Sequence, residues 1–377
     1  MLRAEALLAL LLSLASLLLL AVWAYGNLGF GRSLGSLHPL PRGGRGRVSV
    51  VIAARDEEEN LRRLLPPLLG VEDDRLLEVI VVDDGSSDGT PRLLEELARR
   101  YPRLRYVRVE ETPRGWAPKS YALSLGASMA RGEVLLFLDA DVEPRDPRGL
   151  VEAAASTPLD GILALAPRFS CRGWRCKAAE AVLTGVALGF YGFHRVQDPG
   201  DSLAWIYGCC WAISRGLYES LGGHEAVRSS LVEDRDFASH AKSRGVGIVF
   251  ADAYEAVSVK AYESLLGYSH QIARLSLDPL RARGRLGRIL FIASRSFILY
   301  GAPVLAPLSP LAAAALALQL LLYARGARLN GYSPLHALPA LAAQAVLVHG
   351  MVLAATRGFS WKGRSYSIKA KLGSGAA

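Results

Sequence analysis

Glu133-Val-Leu-Leu-Phe-Leu138 runs directly into Asp139-Ala-Asp141, and this join decides how the chain folds. An unbroken apolar run of that length reads as a strand covered on both faces, as in a parallel sheet. Ligands of such sheets bind where the strands end. No apolar packing accounts for two carboxylates one residue apart at that point. Hard oxygen donors on a short loop suit Mg²⁺ or Mn²⁺, which usually reach proteins together with a substrate's phosphates. The expectation is therefore a divalent cation and a nucleotide at the rim of a sheet.

Working outward, strand and helix signals alternate. Residues 48–54 form a buried strand, after which Asp56 and Glu59 read as a capping-box pair opening a helix. Pro66-Pro67 ends or bends that helix. A second strand, 78–82, enters Asp83-Asp-Gly-Ser-Ser-Asp-Gly-Thr90, where Thr90 caps a helix whose first residue is Pro91. A strand over 104–109, a helix over 117–129 and the strand before Asp139 follow. This repetition predicts an α/β fold with a doubly wound, mostly parallel sheet. Residues 142–203 read as irregular. A strand near 204–214, helices near 215–221 and 235–244, and a strand at 247–250 complete the pattern.

Composition adds a membrane. Of the 377 residues, 51% are hydrophobic, and the surplus is localised. Residues 6–25 are apolar and uncharged, long enough to cross a bilayer, and no small-residue cleavage site follows. A retained anchor is expected over 1–30, with a Gly/Pro/Ser/Arg-rich linker over 31–46. Arg32, Arg42, Arg45 and Arg47 follow the anchor and only Arg3 precedes it, which puts the next domain, 47–275, in the cytoplasm. Segments 308–324 and 335–356 read as C-terminal crossings within 308–356. Residues 276–307, with Arg295 mid-segment, read as an amphipathic interfacial region. Two C-terminal crossings keep the basic tail, 357–377, cytoplasmic; three would export it. The net charge of +9 gathers beside apolar segments, at Arg281, Arg283, Arg285 and Arg288 and at Arg357, Lys362, Arg364, Lys369 and Lys371. That placement fits anionic lipid headgroups, and no nucleic-acid-binding motif accompanies it. Cys171, Cys176, Cys209 and Cys210 make no disulfide framework; Cys171 and Cys176 could bridge or bind metal, but no second pair or nearby His completes a zinc site, so reduced structural thiols are expected.

Each polar cluster has a plain alternative. Asp56 could be only a helix cap. Asp83 and Asp84 could accept hydrogen bonds from a base and ribose, or merely solvate a turn. Lys119, opening a helix after Gly115-Trp-Ala-Pro118, could meet a diphosphate or stand idle at the surface. Glu233-Asp234-Arg235-Asp236 could be a solvated helix start, since acids suit that end of the dipole. A site that activates a leaving group also needs a general base, and a carboxylate here would supply it.

Residues 48–61, 83–90, 119–126, Asp139-Ala-Asp141 and Glu233-Asp234, in this order and spacing, resemble the family 2 glycosyltransferases of the GT-A fold. The resemblance covers roughly 47–275. It implies that Ala54 and Asp56 line the nucleotide pocket, with Asp84 on the base, Asp83 beside it and Lys119 near the diphosphate. It further implies that Asp139 contacts the nucleotide, Asp141 (with Asp139) holds the cation, and Asp234 is the catalytic base supported by Glu233. Trp361-Lys-Gly-Arg364 and Tyr366, after apolar spans, resemble the membrane-bound branch that includes carotenoid and other lipid glycosyltransferases. Gln271, Arg274, Trp361 and Arg364 are thereby candidates for the acceptor or membrane interface. Two departures stand out: Pro118 replaces the usual Gly before the lysine, and Leu275 stands where processive polysaccharide synthases carry Trp.

The function these implications describe is metal-dependent, inverting transfer of a hexose from a nucleotide sugar, with uridine diphosphate expected, to a lipid hydroxyl. Mg²⁺ or Mn²⁺ is the expected cofactor and a multi-pass protein of the cell membrane the expected setting. A polyprenyl-phosphate hexose synthase and a non-catalytic nucleotide-binding scaffold are the alternatives. A nucleotidyltransferase would need a Gly-rich phosphate loop where Ala54-Arg-Asp-Glu-Glu-Glu59 stands, an acidic stretch that repels triphosphate.

Overall fold

The computed structural model describes residues 2–361 and 364–367. Two compact units divide the chain. One comprises Ser36–Ser170 and His194–Lys260; the other takes the described residues up to Gly35, Cys171–Phe193, and those from Ala261 to Ser367.

The first unit holds ten strands: β1 (Val48–Ala54), β2 (Leu76–Asp83), β3 (Leu104–Arg108), β4 (Val134–Asp139), β5 (Val142–Pro144), β6 (Gly161–Ala166), β7 (Arg168–Ser170), β8 (Cys210–Ser214), β9 (Gly247–Asp252) and β10 (Val257–Lys260). Seven of them form a sheet in the order β3-β2-β1-β4-β8-β6-β9. Neighbours among β3, β2, β1 and β4 run parallel, β8 is antiparallel to both β4 and β6, and β9 is parallel to β6. The sheet is thus α/β and mostly parallel, with β8 as the reversal. A small second sheet, β5-β10-β7, flanks it.

Both faces of β1 are covered, which is why it reads as continuously apolar. Val50 and Ile52 join a core with Leu61, Leu64, Leu94 and Leu150. Val51 points the other way, where Gly126 on the helix Pro118–Met129 leaves room for its side chain. Far from Asp139 along the strands, fully buried Glu78 accepts from Ser49 Oγ and Arg131 N, each at 2.8 Å, and from Arg105 Nη1 at 2.7 Å.

Two expected helix caps are replaced. The first helix is Glu58–Leu69, its N-cap is Glu57, and no side chain caps it. Asp56, at φ 53°, points its carboxylate elsewhere. The next helix begins at Thr90 itself, with Gly89 as N-cap. Thr90 Oγ1 instead accepts from Glu57 N at 3.0 Å. In both cases a bond between loops displaces the local cap.

The second unit is helical. Among its described elements are Leu2–Gly35, Trp174–Phe190, Leu265–Arg281, Arg285–Leu305, Pro310–Leu329 and Ala345–Ala355. Among the described residues, four stretches are long and apolar enough to cross a membrane: Glu5–Gly35, Arg285–Leu308, Pro310–Leu329 and Pro334–Ala355. The second coincides with the expected interfacial region, where length and composition also permit a crossing. The units do not follow the expected 47–275 boundary, because Trp174–Phe190 and Leu265–Arg281 group with the apolar helices. The stretch expected to be irregular therefore contains a 17-residue helix. Its Gly185-x-x-x-Gly189 lets backbones approach closely, as in membrane helix pairs. A Cβ on Gly29 would lie 2.1 Å from Gly189 O.

Cys171 and Cys176 are joined by a disulfide, not reduced as expected. The turn entering Trp174–Phe190 brings their Cα atoms to 6.2 Å, within bridging range. Cys209 and Cys210 are free and buried.

Candidate active site

Parallel pairing levels the strand ends. Ala54 lies opposite Asp83, and Ala53 opposite Asp139, so the carboxyl ends of β2, β1 and β4 share one rim. Asp84 N donates to Ala54 O at 2.8 Å, continuing the ladder one step past β2.

Loop-to-loop bonds shape this rim. The Asp56 carboxylate accepts from Ser87 N at 2.7 Å, Ser87 Oγ at 3.1 Å and Asp88 N at 3.3 Å. The Ser87 amide chiefly holds its pKa below the usual carboxylate range. Asp56 N donates to Ser86 Oγ at 2.9 Å in return. Asp83, almost fully buried, accepts from Ser86 N at 2.9 Å and lies 3.4 Å from Arg108 Nη1. Arg55 Nη1 donates to Asp84 O at 2.9 Å and stands 3.8 Å from its carboxylate. Left-handed geometry at Asp56 is tolerable because Asp is among the few residues that adopt it.

An ion-pair knot forms the other side. The Lys119 ammonium lies 2.7 Å from Asp139 Oδ1 and 2.8 Å from Glu233 Oε1. The Glu233 side chain is only 5% exposed against 30% for Asp139, so Glu233 depends on the lysine while Asp139 faces outward. Glu233 and Asp234 open the helix Glu233–Lys242, where the dipole favours acids. Asp234 Oδ1 accepts from Arg235 N at 2.7 Å. Its other oxygen abuts Gly208, where an added Cβ would fall 2.3 Å away. The next residue, Cys209, accepts from Asp139 N at 3.0 Å through its carbonyl. Burial, then the charges of Asp139 and Asp141 among others, push the Cys209 thiol up. Asp141 O accepts from Lys260 N at 3.1 Å, anchoring the loop to β10. Asp139 and Asp234 therefore both border the Gly208-Cys209 segment.

Behind the knot, His224 is fully buried and stacked on Phe237 at 5.6 Å between ring centres. Its Nδ1 pairs with Tyr218 OH at 2.8 Å. Burial lowers its pKa to about 4, keeping the ring neutral beside Lys119.

The rim and knot bring together Ala54, Asp56, Asp83, Asp84, Lys119, Asp139, Asp141, Glu233 and Asp234, all within the first unit. Gln271 and Arg274 lie on Leu265–Arg281 in the helical unit. Trp361 and Arg364 fall in two short strands, and their own side chains lie outside the described residues, as do Lys362, Lys369 and Lys371. Arg55, between the expected Ala54 and Asp56, joins the site, and Gly208, Cys209 and His224 join it without having been expected. Only Tyr207-Gly-Cys-Cys210, a glycine just before an apolar strand, signals any of them.

Among the described residues, no three His, Cys, Asp or Glu side chains form a closed metal cage. The rim still suits Mg²⁺ or Mn²⁺, which take one or two carboxylates and complete their shell with phosphate oxygens and water. An ammonium already stands between Asp139 and Glu233, so this edge is built to face positive charge.

Residues 49–222 match the family described as glycosyl transferase family 2. This segment is a family 2 glycosyl transferase domain. Relatives of the chain include the 4,4'-diaponeurosporenoate glycosyltransferase of Staphylococcus haemolyticus, 30% identical over 191 residues that make up 49% of each chain. A beta-monoglucosyldiacylglycerol synthase of Trichormus variabilis is 36% identical over 97 residues, 26% of this chain and 20% of that one. The chain thus spans about half the length, or less, of these curated relatives. Among solved structures, a mannosyltransferase from Pyrobaculum calidifontis in complex with GDP-Man and Mn²⁺ superposes with a TM-score of 0.53 at 23% identity. That likeness covers 91% of this chain and 98% of the other, and it identifies the glycosyl transferase fold as GT-A.

Proposed function

We propose that the chain is a membrane-bound, inverting glycosyltransferase that moves a hexose from a nucleotide sugar, with uridine diphosphate expected, to a hydroxyl on a lipid. The observation that carries this reading is the Asp139–Lys119–Glu233 knot, with Asp234 seated on Gly208 at the carboxyl rim of the sheet. Relatives named for a carotenoid acid and for a glycosylated diacylglycerol support a lipid acceptor. The apolar helices support a membrane setting.

Asp84, presented by the β2 loop, contacts the base, while Asp56 and Asp83 hold that loop in shape. Lys119 presents positive charge to the diphosphate. Mg²⁺ or Mn²⁺ at Asp139 and Asp141 would supply Lewis-acid stabilisation of the departing diphosphate. Asp234 takes the acceptor hydroxyl's proton as that oxygen bonds to the anomeric carbon from the face opposite the leaving group. The bond from the sugar to the diphosphate breaks, and the nucleoside diphosphate leaves with the electron pair. Glu233, neutralised by Lys119, keeps Asp234 at the helix start. Base assistance of this kind contributes ~10²–10⁴-fold.

The test incubates membranes carrying the full chain with radiolabelled nucleotide sugars, with and without EDTA, and then extracts lipid. Label should enter the organic phase, EDTA should suppress it, and Asp234→Asn should lose at least ~10²-fold of the rate. Wild-type rates from Asp234→Asn would remove the proposed base. Labelling that requires added polyprenyl phosphate would move the acceptor from a hydroxyl to a phosphate.

A further inference from the structure

Arg283 and Arg295 meet around a single ring near the amino-terminal end of the helix Arg285–Leu305, with Arg288 bonded to the Arg283 backbone. The guanidiniums of Arg283 and Arg295 sit 4.6 and 5.0 Å from the centre of Phe291. Arg288 Nη1 donates to Arg283 O at 3.3 Å, drawing the third cation in. Like charges gathered this way repel, and acids normally accompany them. Among the described residues, none of Arg283, Arg288 and Arg295 has an acidic partner. Arg281, which does face Asp278 at 3.6 Å, shows what pairing nearby looks like.

The surroundings are apolar. Leu286 and Leu290 are 67% and 59% exposed on the same helical segment. Arg295 is ten positions into the helix, yet helical side chains lean toward the amino terminus and long basic ones snorkel. That lean brings its guanidinium back to the level of Arg283, at Phe291. Clustered cations at one level, beside leucines open to solvent, match a lipid's phosphate above its own acyl chains.

We propose that Arg283, Arg288 and Arg295 form a binding site for the phosphate of an anionic phospholipid, seated over Phe291 with its chains along Leu286 and Leu290. The proposal rests on the membrane setting proposed above but on none of the donor chemistry. Occupancy of this site sets the helix at the headgroup level, so that its first turns lie along the interface.

The experiment uses the full chain in detergent and counts lipids retained in native mass spectrometry. Phosphatidylglycerol, phosphatidylcholine and inorganic phosphate are the probes. Phosphatidylglycerol should be retained well above phosphatidylcholine. The double variant Arg283→Gln, Arg295→Gln should weaken retention on the order of twenty-fold, at about five-fold per cation near an anionic surface. Arg283→Lys with Arg295→Lys should keep most of it, which separates lost charge from lost fold. Equal retention of both lipids, wild-type retention by the glutamine variant, or displacement by millimolar inorganic phosphate each overturns the site. Sugar transfer is not read, so a failed donor assignment leaves this result intact.

Discussion

Gly208 governs where the carboxylate of Asp234, the proposed base, can stand. Asp234 Oδ2 lies where a Cβ on Gly208 would need to be, 2.3 Å away, so any side chain there drives the carboxylate off. Gly208→Ala is expected to leave the fold and nucleotide binding in place while lowering kcat toward the ~10²-fold loss of a reacting group misplaced by about 1 Å. Donor titration by calorimetry, beside turnover on the same preparation, checks this. Weakened donor binding with unchanged turnover would refute it. Lys119 acts at the same scale. Glu233 is nearly buried, and stripping its ammonium leaves an uncompensated carboxylate beside the diphosphate. Lys119→Met should therefore raise the donor KM and lower kcat together, whereas a lysine serving only as a surface charge would alter neither.

At the scale of elements, the helix Glu233–Lys242 is held against β4 and β8 by rings. Phe137 and Trp211 stack at 4.4 Å, and His224 lies on Phe237. The sequence shows that acids open this helix but not that a buried imidazole backs it, because a lone His beside Gly222-Gly223 has no periodic signal. The imidazole has a measurable consequence. Its pKa falls from 6.5 to about 4 on folding because burial disfavours the charged ring. A lowered histidine pKa means the unfolded chain binds the extra proton first. Stability is then undiminished above pH 6.5 and declines as pH falls from 6.5 toward 4, by about 3 kcal/mol in all. Thermal unfolding followed across that window should show the decline, and His224→Gln, though less stable overall, should show a shallower one. Parallel curves for the two proteins would mean that other groups dominate acid sensitivity. Legibility follows the same division. The strands β1, β2 and β4 were readable because burial on both faces leaves unbroken apolar runs. Trp174–Phe190 was not, because its alanines and glycines suit close helix packing rather than a simple apolar stripe.

Across the whole chain, the seven acids of the rim, with Lys119 and Ala54, were legible because each stands at the end of a readable element. The second unit was legible only as apolar length, and length alone does not distinguish a crossing helix from one lying in the interface. Parity does. Arg285–Leu308 is long and apolar enough to span, but Arg295 sits midway along it and the proposed phospholipid site would hold the arginine cluster at headgroup level. With that helix in the interface, the remaining apolar stretches are Glu5–Gly35, Pro310–Leu329 and Pro334–Ala355. Two crossings after the catalytic unit return the tail to the catalytic side; a third would carry it across. Cysteine labelling reads this directly, since Cys209 and Cys210 are buried and Cys171 and Cys176 are bridged. Ser128→Cys, exposed on the catalytic unit, and Ala376→Cys in the tail should both resist an impermeant maleimide in intact cells and react once the membrane is opened. Labelling of Ala376→Cys in intact cells, with Ser128→Cys still protected, would establish the additional crossing and move the arginine cluster to the end of a spanning helix.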